Sequence, residues 1–167
     1  VANTANTTTS SIVNGKDINA QGFWGKTFAD LCRQSKEENI CLSPLSAQFA
    51  MAMLANGAEG ETKEEICKAL GSYTDTNAHY NKLLESTLEN KDYEIDIANS
   101  IWINDKLKVN KSFITSNKKY YDATIEVTEF SKNTLQRIND WCKENTKGKI
   151  PSILNDIDPN DRMFLIN

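Results

Sequence analysis

The sequence predicts an α+β fold, and three stretches carry that prediction. Ser46 to Asn56 is small and apolar on nearly all sides, with Gln48 as its one clearly polar interior residue. A helix of that kind belongs in the interior of a protein. Tyr93 to Ile103 sets Tyr93, Ile95, Ile97, Ile101 and Ile103 in alternation with Glu94, Asp96, Ala98, Ser100 and Trp102. That is the period of a strand with one covered face. Met163 to Ile166 is a short apolar run behind the turn Asp158-Pro159-Asn160 and reads as a buried strand needing neighbours on both sides.

Taken in order, residues 1–16 are rich in Thr, Asn and Ser and read as a disordered leader. Residues 17–167 form the folded part. Asn19 to Ser35 predicts a first helix, with Ala20, Trp24, Phe28, Leu31 and Cys32 on its inner face. Ile40 to Leu42 is a short strand candidate. Ser43-Pro44 makes a turn, and Ser46 has the chemistry of an N-cap for the buried helix. Inside that helix, Met51 and Leu54 are expected to be almost fully buried among the small residues Ala47, Ala50 and Ala55. Gly57 and Gly60 end it.

Thr62 with Glu65 has capping-box spacing and opens a helix carrying Ile66, Cys67 and Leu70, closed by Gly71. A polar turn over Thr74 to Asn77 leads to a helix with Tyr80, Leu83, Leu84, Thr87 and Leu88 on one face. Asn99 interrupts the apolar face of the long strand, so it must find hydrogen-bond partners in a neighbouring element. Asn110 is positioned to cap a helix through Phe113, Ile114 and Tyr121, and Ala123 to Phe130 alternates as a second strand. Asn133, with Gln136 three residues on, caps a helix carrying Leu135, Ile138, Trp141 and Cys142, which Gly148 ends.

Composition excludes several classes of function. A net charge of −4 gives no basic face for nucleic acid. No apolar run approaches bilayer length. Val1 to Gly15 lacks the charged start and apolar core of a signal peptide. The four cysteines, Cys32, Cys41, Cys67 and Cys142, form no C-x-x-C pair, and with His79 as the one histidine no zinc spacing is available. They read as buried thiols, with a Cys32–Cys41 disulfide left open. Asp156, Asp158 and Asn160 begin a calcium-loop pattern, but Asp161 replaces its glycine and Asn167 its final glutamate. Phosphate-binding glycine loops, zinc-protease motifs and a G-x-S-x-G nucleophile turn are all absent. No catalytic, cofactor or metal residue emerges, and nothing in the chain reads as an active site. Asn6-Thr7-Thr8 and Asn110-Lys111-Ser112 match the glycosylation sequon, a pattern short enough to arise by chance.

Asn39-Ile40-x-x-Ser43-Pro44-x-Ser46, the small-residue helix, Gly57-Ala58-x-Gly60-x-Thr62 and then Glu65-Ile66 together resemble the serpins. Ala98-Asn99-Ser100-Ile101-Trp102, Ile138-Asn139-Asp140-Trp141, Thr146-Lys147-Gly148-Lys149-Ile150 and the terminal Met163 to Asn167 follow in serpin order. The resemblance covers roughly residues 20–167 and corresponds to the N-terminal half of a serpin domain. It implies the helical portion of that fold with the first strands of its large sheet, and the reactive centre lies outside this chain. It implies a protease inhibitor and not an enzyme, one that takes serine or cysteine endopeptidases and traps its target when a cleaved loop inserts into the sheet. A non-inhibitory serpin (a carrier, chaperone or storage protein) or a stand-alone interaction module are the alternatives. By the same resemblance, Asn39, Ser43, Ser46 and Asn167 match the shutter beneath and within the sheet. Asn139, Trp141, Thr146 and Gly148 match the helix that covers it. The implied partners are a target protease, and either the C-terminal half or further copies of the chain. The implied setting is extracellular or the cell envelope. No polysaccharide site carries over, because the helix from about Asn77 to Asn90 holds Lys82 against Glu85 and Glu89.

Overall fold

A computed structural model of the chain describes residues 9–13, 16–20, 22–35, 39–71, 73–89, 92 and 95–167. It divides into two compact units, Val1–Pro44 and Leu45–Asn167. In the first unit, β1 (Thr9–Val13) and β2 (Lys16–Ala20) pair antiparallel, with Thr9 opposite Ala20 and Val13 opposite Lys16. Helix α1 (Gly22–Gln34) follows.

These elements differ from the sequence expectation. Residues 9–13, expected within a disordered leader, form a strand, and Asn19 and Ala20 lie in its partner because the ladder claims their backbone groups. In α1, Ala29 is buried but Leu31 is 42% exposed, so the expected apolar face is only partly covered. Residues 39–43 form neither helix nor strand, so the Ile40–Leu42 strand is not realised. The Asn6 sequon lies outside the described residues.

The second unit holds most of α2 (Pro44–Ala55), then α3 (Gly60–Leu70), α4 (Thr76–Leu88) and β3 (Ser100–Asn104). It continues through α5 (Lys111–Tyr121), β4 (Thr124–Thr128), α6 (Lys132–Asn145) and β5 (Met163–Ile166). Pro44 opens α2, where its fixed φ suits the first turn and its missing N–H costs nothing. Ser46 is therefore inside the helix rather than at its cap. Phe49, Ala52, Met53 and Ala55 are the buried positions of α2. Leu54, expected in the core, is 39% exposed, and Met51 is half-buried. The core-facing stripe at i, i+3 and i+4 runs through Phe49, Ala52 and Met53 and leaves Leu54 to one side. There it lines an open groove of about 690 Å³ with Ile66, Leu107 and Phe113. Gly57 belongs where it is, because a Cβ there would stand 3.1 Å from the Phe113 ring.

Helix ends account for the remaining local corrections. Helix α3 begins behind Glu59, so the Thr62–Glu65 box does not form. It ends at Gly71, whose φ of 121° favours glycine and whose N–H reaches the Cys67 and Lys68 carbonyls. Asp75 caps α4 by accepting from the Ala78 N–H at 3.0 Å. In α4, Tyr80 and Leu84 are buried while Leu88 is 49% exposed. Asn110 does stand at the start of α5, though its side chain makes no capping bond. Helix α6 starts behind Ser131, not Asn133, and Gln136 donates forward to Asp140 instead of back to a cap.

The sheet of the second unit has the order β4-β3-β5, with β3 parallel to β4 and antiparallel to β5. Every residue of β3 is buried, as a central strand covered on both faces should be. The strand is shorter than the alternation predicts. It begins at Ser100, opposite the first residue of β4 and the last of β5, and has no ladder partner earlier among the described residues. Residues 95–99 are irregular and Ile95 is 41% exposed, while Tyr93 and Glu94 lie outside the described residues. Among the described residues β5 pairs with β3 alone and forms one edge of this sheet, so it is not the strand buried between two neighbours that its apolar run predicts, and only Ile166 of it is buried. The four cysteines are all free thiols, and the expectation that all are buried holds only for Cys142. Cys41 is exposed, and Cys32 and Cys67 are half-buried.

Candidate functional site

The amphipathic pattern of α6 lays it across one face of the three-stranded sheet. Ile138 from α6 joins Trp102 of β3, Ile166 of β5, Phe130 and Ile157 in one buried cluster. Leu135, Trp141, Leu154 and Phe164 pack around it. Phe130 and Phe164 sit with ring centroids 5.2 Å apart. Trp102 satisfies its ring N–H on the Ser100 hydroxyl at 3.0 Å, which explains a polar residue at zero exposure in the strand. Arg137 extends α6 across the sheet, its guanidinium 5.7 Å from the Trp102 ring and ion-paired with Glu126 of β4. At the far end of α6, Lys147 Nζ lies 2.7 Å from Asp96.

The α6 residues singled out from the sequence have distinct contacts. Asn139 is the anchor. Its Oδ1 accepts from the Ile153 and Leu154 N–H groups at 2.9 and 3.0 Å, and its Nδ2 donates to the Leu154 carbonyl at 2.9 Å. One amide thus substitutes for a strand partner and ties the returning chain to the helix. Trp141 is half-buried against the cluster. Thr146 Oγ1 donates to the Cys142 carbonyl at 2.8 Å and accepts from the Ile150 N–H at 3.0 Å. Gly148, at φ 78°, closes the helix by donating to the Lys143 carbonyl at 2.7 Å.

The four residues matched to a shutter separate differently. Asn39 and Ser43 are exposed residues of the first unit, and Ser46 is half-buried on α2 in the second. Asn167, just past β5, donates from Nδ2 to Asn99 Oδ1 at 2.8 Å. Asn99 in turn donates to the Tyr121 carbonyl at 2.8 Å, and its own carbonyl accepts the Thr124 N–H at 2.9 Å. The polar interruption at Asn99 therefore ties together the ends of α5, β4 and β5, as its burial in an apolar stretch required.

Other contributors were not visible from the sequence as such. Asn104 is 1% exposed and donates to the Pro159 and Asp161 carbonyls at 3.0 and 2.9 Å. It fixes the turn that feeds β5. The available signal was an asparagine closing an apolar run, the same cue that marked Asn99. Arg137 and Tyr121 gave no such cue, because an arginine or tyrosine on a helix is ordinary.

Among the described residues no group of His, Cys, Asp and Glu side chains is placed to hold a metal ion. Asp158 Oδ1 accepts from the Asn160 backbone N–H and side-chain amide, so the acidic turn is hydrogen-bonded within itself. His79 stacks on Tyr73 at 3.5 Å. Burial pushes the Tyr80 hydroxyl up to about 12, and raises the Tyr121 hydroxyl and Cys142 thiol above their ordinary values. No helix among the described residues is long and apolar enough to cross a membrane.

Residues 19–167 match the family model described as serpin, serine protease inhibitor. Antichymotrypsin-2 of Bombyx mori is 29% identical over 147 residues, covering 85% of this chain and 38% of the relative. Human neuroserpin is 32% identical over 141 residues, covering 79% of this chain and 34% of its own length. Among solved structures, the thermophilic serpin tengpin in its latent state is 38% identical with a TM-score of 0.72, covering 78% of this chain and 37% of tengpin. Tengpin in its native state gives 37% identity and a TM-score of 0.70. The chain thus spans between a third and two-fifths of the length of these relatives. The match over residues 19–167, on a three-stranded sheet covered by α6, shows that the chain belongs to the serpin family.

Proposed function

We propose that this chain is the N-terminal scaffold of an inhibitor of serine or cysteine endopeptidases that works by loop insertion. One observation carries the reading. Helix α6 covers β3 and β5 through side-chain packing, is tied by Asn139 to the Ile153–Leu154 segment, and contributes no strand to the ladder. It can lift from the sheet without breaking a backbone pair of β3 with β4 or β5. In the proposed cycle, the protease nucleophile attacks a bait loop outside these 167 residues, and the peptide bond breaks as the acyl-enzyme forms. The freed loop then adds to the sheet as a strand, with the protease still attached at its end. Asn167 at the end of β5 and Ser46 on α2 belong to the region that must part, with Asn39 and Ser43 preceding α2. Asn139, Trp141, Thr146 and Gly148 set how readily α6 yields. The driving free energy is that of a starting fold trapped above its minimum. An extracellular or cell-envelope setting belongs to the same proposal. So does a second polypeptide on the open edge of β5, whose backbone groups on that side have no strand partner among the described residues.

The test is to mix the full-length protein with serine and cysteine endopeptidases and resolve the products under denaturing conditions. A covalent species of combined mass supports inhibition. Complete cleavage with undiminished protease activity would instead identify a non-inhibitory carrier, chaperone or storage serpin.

A further inference from the structure

Tyr121 sits where two chains of side-chain hydrogen bonds meet. On its backbone side, its carbonyl accepts from Asn99, which accepts from Asn167 beyond β5. On its side-chain side, its hydroxyl donates to Asn77 Oδ1 of α4 at 2.8 Å. Asn77 Nδ2 donates to Asn56 Oδ1 at 2.8 Å, and Asn56 Nδ2 donates to Asn117 Oδ1 at 2.8 Å. Asn117, fully buried on α5, donates to the Met53 carbonyl of α2 at 3.3 Å. Every amide in this second chain gives one hydrogen and takes one, all in the same direction. Flipping a single amide would set two donors or two acceptors face to face. The chain is therefore locked as a unit, begun by a phenol that here donates and given its direction by the Met53 carbonyl, which can only accept. The Tyr121 ring is buried, with its centroid 6.4 Å from the Phe49 ring of α2. It has no room to swing away while its neighbours hold.

We propose that Tyr121 is a positioning residue that couples the end of β5 to the packing of α2, α4 and α5. Release of Asn167 frees the Asn99 amide to turn away from the Tyr121 carbonyl, which relaxes the last turn of α5 and draws the hydroxyl off Asn77. Loosening α4 acts on β5 through the same bonds in reverse. This rests on the proposed function in one respect: in a fold whose β5 must part from a neighbour, such a link makes the state of the α4–α5 pair a control on opening. The coupling itself needs no protease.

Hydrogen exchange on the full-length protein, without protease, tests it from both ends. Tyr121→Phe removes one oxygen and keeps the ring. It is expected to speed exchange roughly five-fold, the worth of one hydrogen bond, at the start of α4 and also in the peptide covering β5. Asn99→Ala, made at the other end, is expected to speed exchange at Asn77 to Tyr80 as well as at β5, since coupling is reciprocal. Asn77→Ala is the second variant at the α4 end and must reproduce the β5 effect of Tyr121→Phe. Thr115→Ala, on the exposed face of α5, should change neither region. Faster exchange in α4 and α5 alone, with β5 unchanged in both Tyr121→Phe and Asn77→Ala, overturns the coupling. A failed inhibition assay leaves this outcome untouched, and a failed coupling leaves inhibition standing, so the two readings fail separately.

Discussion

Replacing Asn139 by alanine removes the bonds that hold the segment after α6 to the helix. The side chain makes three, at 2.9, 3.0 and 2.9 Å, all to the backbone of Ile153 and Leu154. Each such bond contributes about 0.5–1.5 kcal/mol net, so the gross loss is about 1.5–4.5 kcal/mol. The Ile153 side is 44% exposed, so water recovers part of the loss there, while the Leu154 side is half-buried against the core cluster and recovers less. A loss of about 2 kcal/mol follows, equivalent to roughly thirty-fold faster opening of that segment. Native-state hydrogen exchange at the Ile153 and Leu154 amides reads this directly. Asn139→Asp keeps an oxygen to accept from both N–H groups but sets its other oxygen against the Leu154 carbonyl, so it should recover only part of the protection at those amides. Leu154→Ala should cost less in the Asn139→Ala background than alone, because the detached segment no longer seats Leu154. Exchange at the two amides within two-fold of wild type in Asn139→Ala, or strict additivity with Leu154→Ala, would refute the argument that this amide anchors the segment.

Ile138, fully buried in the cluster between α6 and the sheet, should cost on the order of 2–5 kcal/mol when cut to alanine, measured by chemical denaturation. Phe49→Ala should cost about 3–5 kcal/mol, whereas Leu54→Ala should fall below about 1.5 kcal/mol because its side chain already meets water, and melting curves of the pair would expose an error in the assigned core face. Ser46→Phe in the full-length protein should overpack the half-buried face of α2 and yield polymers or a latent form on native gels, and a monomeric, fully inhibitory variant would remove Ser46 from the opening region. Tyr80 ionises near 10 when unfolded and near 12 when folded, so the native state holds its proton longer. Stability should therefore be lost progressively as pH rises from 10 to 12, and the ring resonances of Tyr80 should report tyrosinate together with unfolding rather than before it.

Sequence alone determined what depends on periodicity and on local chemistry. The interior character of α2, the strand at Ile101 to Ile103, the apolar run that becomes β5 and the covering helix carrying Ile138 and Trp141 all follow from how apolar residues recur. The requirement that Asn99 be partnered also follows, since an amide in an apolar face has no other solution. Family motifs added the architecture into which those pieces fit. Tertiary structure decided everything that depends on what covers a given face. Leu54 and Leu31 look like core residues in one dimension, yet each stands partly in solvent, because burial is set by the neighbour and not by the residue. β3 stops short of its alternating pattern because β4 and β5 offer no backbone partners before Ser100. Helices α3 and α6 begin behind Glu59 and Ser131, ahead of the caps expected at Thr62 and Asn133, since several polar side chains stand near each helix start and packing chooses among them. The amide chain from Tyr121 to Met53 was beyond reach of the sequence altogether. Its asparagines lie in the turn after α2, on α4 and on α5, far apart along the chain, and only the fold brings donor to acceptor.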